Sequence, residues 1–80
     1  MKKYKMAPND YNKWLNYHDS LLYLSLLSID GYSDWRFPTI DEINEIEIHR
    51  WKIWSSEASD MVPAYYLENE KRWVVPVRDI

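Results

Sequence analysis

Eighty residues with 46% hydrophobic and 16% aromatic side chains, one glycine and no cysteine allow a single small core and rule out a disordered chain. Without cysteine there is no disulfide, no Cys-ligated zinc and no thiol nucleophile, so stability must come from side-chain packing. Ten basic against thirteen acidic residues give a net charge of −3, which argues against nucleic acid or anionic lipid as a partner.

In chain order, Lys2, Lys3 and Lys5 are the one local basic patch and read as a solvated terminus. Residues 1–8 lack the apolar core and small-residue cleavage site of a signal peptide. From residue 9 to 28, Tyr11, Trp14, Leu15, Leu21, Leu22, Leu26 and Leu27 fall at intervals of three and four, which predicts one long amphipathic helix capped by Asn9 or Asp10. The apolar stretch at residues 21–27 is broken by Ser25 and is far below the roughly 18 residues of a membrane span. Gly31, the only glycine, is expected in a left-handed conformation that ends the helix or the turn after it, at a place where a Cβ would clash.

Residues 32–38 form a turn-rich connector, and Pro38 biases Phe37 to an extended conformation. Thr39-Ile40-Asp41-Glu42 is a capping box that opens a second helix, with Ile40, Ile43 and Ile46 on its buried side and an end near Ile48. Residues 52–56, 64–68 and 72–78 are rich in Trp, Tyr, Val and Ile and are predicted as three strands of an antiparallel meander. In the last of these, Trp73, Val75 and Val77 make the apolar face, and Pro76 calls for an edge or a bulge. Residues 2–6 are a candidate fourth strand paired near the C-terminus.

The run Gly31-Tyr32-Ser33-Asp34-Trp35-Arg36-Phe37-Pro38-Thr39-Ile40-Asp41-Glu42-Ile43 resembles the GYSDWRLPT-x-x-EL segment of a bacterial and phage domain family typified by the C-terminal domain of a collagen-like adhesin. Trp54-Ser55-Ser56-Glu57 resembles that family's YWSST segment, and Val74-Val75-Pro76-Val77-Arg78 resembles its closing VRPVR. Ala64-Tyr65-Tyr66-Leu67-Glu68 stands where the family has an AWYV-D-like strand. The resemblance spans most of the chain. It implies a single α+β domain over residues 1–80 with a reduced C-type-lectin-like fold: two helices packed on a small antiparallel sheet of three to four strands. Ile53, Glu57 and Val75 depart from the family's usual Tyr, Thr and Arg. The usual long insertion after the second helix is cut to residues 47–51, so the loop that commonly bears the ligand in such folds is nearly gone.

Among the residues with chemistry, Trp35 and Arg36 are read as structural. Trp35 is expected to pack between helices and sheet, with Arg36 and Arg78 pairing to Asp34, Glu42 or Glu57. His18 and His49 lack the i,i+4 partner of a metal-binding helix, and no metal or other cofactor is expected. A triad of Ser55, His49 and Asp60 has no nucleophile-elbow glycine behind it. The acidic pairs Asp41/Glu42 and Glu45/Glu47 read as a cap and a solvated face.

Tyr4, Tyr17, Tyr23, Trp51, Tyr66 and Trp73 are too many large rings for so short a chain to bury, and exposed Trp, Tyr and Arg typify interaction hot spots. The expected binding residues are Arg50, Trp51, Tyr65, Tyr66 and Trp73. The expected function is non-catalytic: an interaction module that binds a protein partner or self-associates through an aromatic-rich edge, with carbohydrate a weaker choice. The family's distribution adds a phage-encoded protein acting on a host factor, or a virion component. The expected location is the cytoplasm of the producing or infected bacterial cell, or the virion.

Overall fold

The computed structural model describes residues 3–46 and 52–80. Its first element is β1 (Tyr4–Met6), followed by a single 3-10 turn (Asn9–Tyr11) and by β2 (Lys13–Leu15). Four helices come next: α1 (Tyr17–Leu26), α2 (Ile40–Ile46), α3 (Ala58–Met61) and α4 (Ala64–Asn69). The described chain closes with β3 (Arg72–Val74) and β4 (Val77–Asp79). The class is α+β, and the strands form two separate antiparallel pairs, β1 with β4 and β2 with β3. The expected pairing of the N-terminal segment near the C-terminus is present, with Tyr4 opposite Asp79 and Met6 opposite Val77.

The single long helix over residues 9–28 is replaced by three elements. The 3-10 turn closes through Tyr11 N–H to Pro8 O and Asn12 N–H to Asn9 O, each at 3.0 Å. Asn12 is then extended, and residues 13–15 pair with 74–72 in β3. The helix begins seven residues late because Asn16 is its true cap: its side-chain oxygen accepts from the Asp19 amide at 2.8 Å. Periodicity alone could not see this. A three-residue strand breaks no apolar rhythm, yet it gains backbone pairing and a cross-strand ring contact between Trp14 and Trp73.

The turn at residues 29–32 places Asp30 at φ 53° and Gly31 at φ 84°, between reciprocal Ile29–Tyr32 backbone hydrogen bonds of 3.0 and 2.9 Å. Two consecutive positive φ values define a type I′ turn, for which Asp-Gly is a preferred pair. A Cβ on Gly31 would meet nothing within 4 Å, so backbone conformation, not crowding, demands glycine there.

The capping box forms as expected. The Glu42 carboxylate accepts from the Thr39 amide at 2.9 Å, and the Glu42 amide donates to Thr39 Oγ1 at 3.2 Å. Ile43 is buried, while Ile40 and Ile46 are only partly so. The expected end near Ile48 lies outside the described residues.

The predicted three-strand meander is corrected at each strand. Residues 64–68 are helical: the Pro63 carbonyl accepts from Tyr66 and Leu67 amides at 2.9 and 3.2 Å, and only Leu67 turns into the core. Residues 52–56 contribute one parallel bridge, Ile53 to Trp73, rather than a strand. Residues 72–78 divide into β3 and β4 around Pro76. Lacking an N–H, Pro76 cannot continue a ladder, but its carbonyl accepts from the Ala7 amide at 3.0 Å as the chain crosses between sheets. Val74, Val75, Pro76 and Val77 are all buried and Trp73 is exposed, so the expected alternation of faces fails there.

Trp54, fully buried, sits at the centre of the larger core cluster. Its indole N–H donates to Leu15 O at 2.8 Å, and Tyr17 meets its ring edge-on at 5.6 Å. Tyr17 also stacks on Phe37 at 5.4 Å. A smaller cluster of Ile43, Ile53 and Val75 lies under α2. No helix among the described residues is long and apolar enough to cross a membrane.

Candidate interaction surface

Among the described residues, large apolar side chains stay exposed singly at Tyr32, Met61 and Ile80 and in groups on the β2–β3 pair, on α4 and on α1. On the β2–β3 pair, Trp14 and Trp73 stand directly opposite one another with ring centroids 5.3 Å apart, edge to face, and 44% and 43% exposed. Each ring covers part of the other and keeps the rest of its surface wet. The backbone beneath them is held, since Trp73 O also accepts from the Trp54 amide at 3.0 Å. On α4, Tyr65 and Tyr66 form an edge-to-face pair at 5.5 Å, and Tyr65 is 70% exposed. On α1, Leu21, Leu22 and Leu26 are exposed, with Leu26 75% so, while Tyr17, Ser20 and Leu24 face the core.

Tyr65, Tyr66 and Trp73 are thus exposed as the sequence implied, although the two tyrosines reach the surface from a helix. Arg50, Trp51 and His49 lie outside the described residues. Trp73 is joined with Trp14, which the sequence reading placed on a helix face. A residue takes its neighbours from its element, so misreading residues 13–15 as helix concealed the pair. The leucines carried a legible signal that was missed. Leu21, Leu22, Leu24, Leu26 and Leu27 spread around the whole helix, and one packed face cannot cover them all.

α4 is tied to the start of α1 by the Asn16 side-chain amide, which donates to Glu68 O at 3.1 Å, and by His18 Nε2, which lies 3.9 Å from Glu68. Beyond α4 the chain turns through Glu70 and Lys71 into β3. The Arg72 guanidinium lies 4.7 Å from the Trp54 ring centre and 3.3 Å from Glu70. It also lines a cavity of about 260 Å³ whose other walls include Ile40, Ile53, Met61 and Val62.

The residues read as structural behave so. Trp35 is buried and donates its indole N–H to Tyr32 O at 3.0 Å. Arg36 grips both Glu42 oxygens at 2.8 and 3.0 Å and reaches Asp79 at 2.7 Å, a partner the sequence reading lacked. The guanidinium holds the Glu42 carboxyl below the usual carboxylate range against the opposing pull of burial, and Glu42 in turn raises Arg36. Arg78 bonds Asp34 through Nε at 2.8 Å and Nη2 at 3.3 Å, which lowers the Asp34 carboxyl. Glu57 accepts from the Ser56 hydroxyl instead of an arginine.

Ser55 is buried and Asp60 is exposed on α3, and among the described residues no group of three or more His, Asp or Glu side chains is placed to hold a metal ion. The buried Tyr4 hydroxyl has no hydrogen-bond partner among the described residues, and burial, then Glu45 and Glu42, push its ionisation up. Comparison with family models, curated proteins and solved structures finds no match to this chain.

Proposed function

We propose that this chain is a non-catalytic interaction module that binds a protein partner through the surface centred on Trp14 and Trp73. The observation that carries this is the cross-strand tryptophan pair, each ring more than two-fifths exposed on a backbone fixed by β pairing. Rigid aromatics lose little conformational entropy on docking and are enriched at interface hot spots. Tyr65 and Tyr66, on the helix that leads into β3, extend the same chemistry. The net charge of −3 favours a protein surface over nucleic acid. The resemblance of residues 31–43 to a C-type-lectin-like family, whose members bind through loops and edges, supports the same reading, with the sheet surface replacing a shortened loop.

Capture from lysate by the immobilised chain tests it. Trp14→Thr combined with Trp73→Thr should abolish retention of the partner while the far-ultraviolet circular dichroism stays that of the parent. Retention unchanged by the double variant would remove the proposal. Light scattering separates the remaining outcome: a mass rising above 9.8 kDa with concentration, and lost in the same variant, identifies a second copy as the partner.

A further inference from the structure

β1 and β4 place Lys5 directly opposite Arg78. Cross-strand partners share a face of the sheet, and like charges so placed oppose the pairing. Asp34 offsets Arg78 by binding Nε and Nη2, and the guanidinium lies 3.7 Å from the Tyr32 ring centre. That fixes the arginine on one edge and one face, and among the described residues Nη1 has no hydrogen-bond partner. Lys5 has no carboxylate partner among the described residues.

A cavity of about 220 Å³ is lined by both cations and walled by Ile29, Tyr32 and Trp35, with Asp30 also on its lining. This is smaller than the roughly 300–1,000 Å³ of pockets for drug-sized molecules, so an occupant has about ten non-hydrogen atoms. Two cations set against apolar and aromatic walls match a ligand with one anionic end and a compact planar body. Asp30 and Asp34 keep the local charge near balance, which disfavours polyanions.

We propose that this cavity binds a small organic anion, a carboxylate or phosphate carried on a planar group, between Lys5 and Arg78 and against Tyr32 and Trp35. The site is separate from the tryptophan surface and does not depend on it. A cation pair that opposes sheet pairing gains its use when an anion sits between the two charges.

Nuclear magnetic resonance titration of the whole chain with phenyl phosphate and with benzoate, using benzyl alcohol as neutral control, reads the site through the Trp35 indole N–H and the Lys5 amide. Saturable shifts are expected with at least one anion, and the responding anion identifies the headgroup. Benzyl alcohol should bind at least about tenfold more weakly, a factor equivalent to about 1.4 kcal/mol. Lys5→Glu turns the like-charged pair into an opposite pair, so the melting temperature should hold or rise while anion affinity falls at least about tenfold. If Lys5→Glu does not fold, Lys5→Gln carries the same comparison with a smaller loss. Absence of saturable shifts at millimolar anion, equal binding of benzyl alcohol, or undiminished binding by the lysine variants would each overturn the proposal.

Discussion

The Arg36 guanidinium reaches Glu42 on α2 and Asp79 on β4, while its backbone exchanges hydrogen bonds with Val77 at 2.8 and 3.0 Å. One residue thus joins the connector, a helix and the C-terminal strand. The Glu42 side chain is only 16% exposed, so solvent screens this pair less than an ordinary surface ion pair. Arg36→Met should cost about 1.5–3 kcal/mol, the range for hydrogen bonds to charged groups. Against the roughly 4–12 kcal/mol expected for a domain of this length, that is a large fraction, and urea denaturation would show it as a lower midpoint. Arg36→Lys keeps the charge but loses the two-pronged grip, and should fall between. Glu42 was among the partners legible for Arg36 because it lies six residues away on the capped helix, whereas the burial of Trp35, implied by the resemblance, rests on distant residues such as Ala7, Trp54 and Val74. Asp79 was not legible, because its approach depends on how β4 is placed.

Among the elements, α2 and α1 form a contrast. The capping box of α2 can be read from Thr39 and Glu42 alone, because both hydrogen bonds are local. The start of α1 was misplaced although Asn16 and Asp19 carry a similar signal, since an unbroken apolar rhythm masked it. Asn16 works twice, accepting from the Asp19 amide and donating to Glu68 O. Asn16→Ala should therefore cost about 1–2 kcal/mol, the upper part of the range for a lost cap, and Asn16→Asp should restore most of it while leaving Glu68 O without its donor. Thermal unfolding of the two variants checks the order. The helix at residues 64–69 was read as a strand for its β-favouring tyrosines, and Pro63 with the single inward residue Leu67 decided otherwise. Propensity at a surface position is a weak signal beside burial.

At the scale of the whole molecule, the described residues form two short sheets and four helices around a main core at Trp54 and a smaller one under α2, and the arginine–carboxylate contacts lace its edge. Glu42 and Asp34 have folded-state ionisation below their unfolded values. The stability they contribute is therefore fully present above the unfolded carboxylate range and is lost as pH falls through the folded values. The urea midpoint should stay level from neutral pH to about pH 5 and decline below about pH 4, with a shallower decline in Arg36→Met. An equal decline in that variant would assign acid sensitivity to other carboxylates.

The second helix with its cap and the left-handed glycine turn follow from chemistry within a few residues and were legible in the sequence by itself, whereas the α+β class and the inward place of Trp35 were implied by the resemblance of residues 31–43. The pairing of residues 2–6 near the C-terminus and a break at Pro76 were foreseen, but their register, which sets Lys5 opposite Arg78, and the pairing of β2 with β3, which joins Trp14 to Trp73, were decided only by the tertiary structure. Strands of three residues leave almost no periodic trace. What stabilises them is the partner strand and the core beneath, and neither is adjacent in the chain.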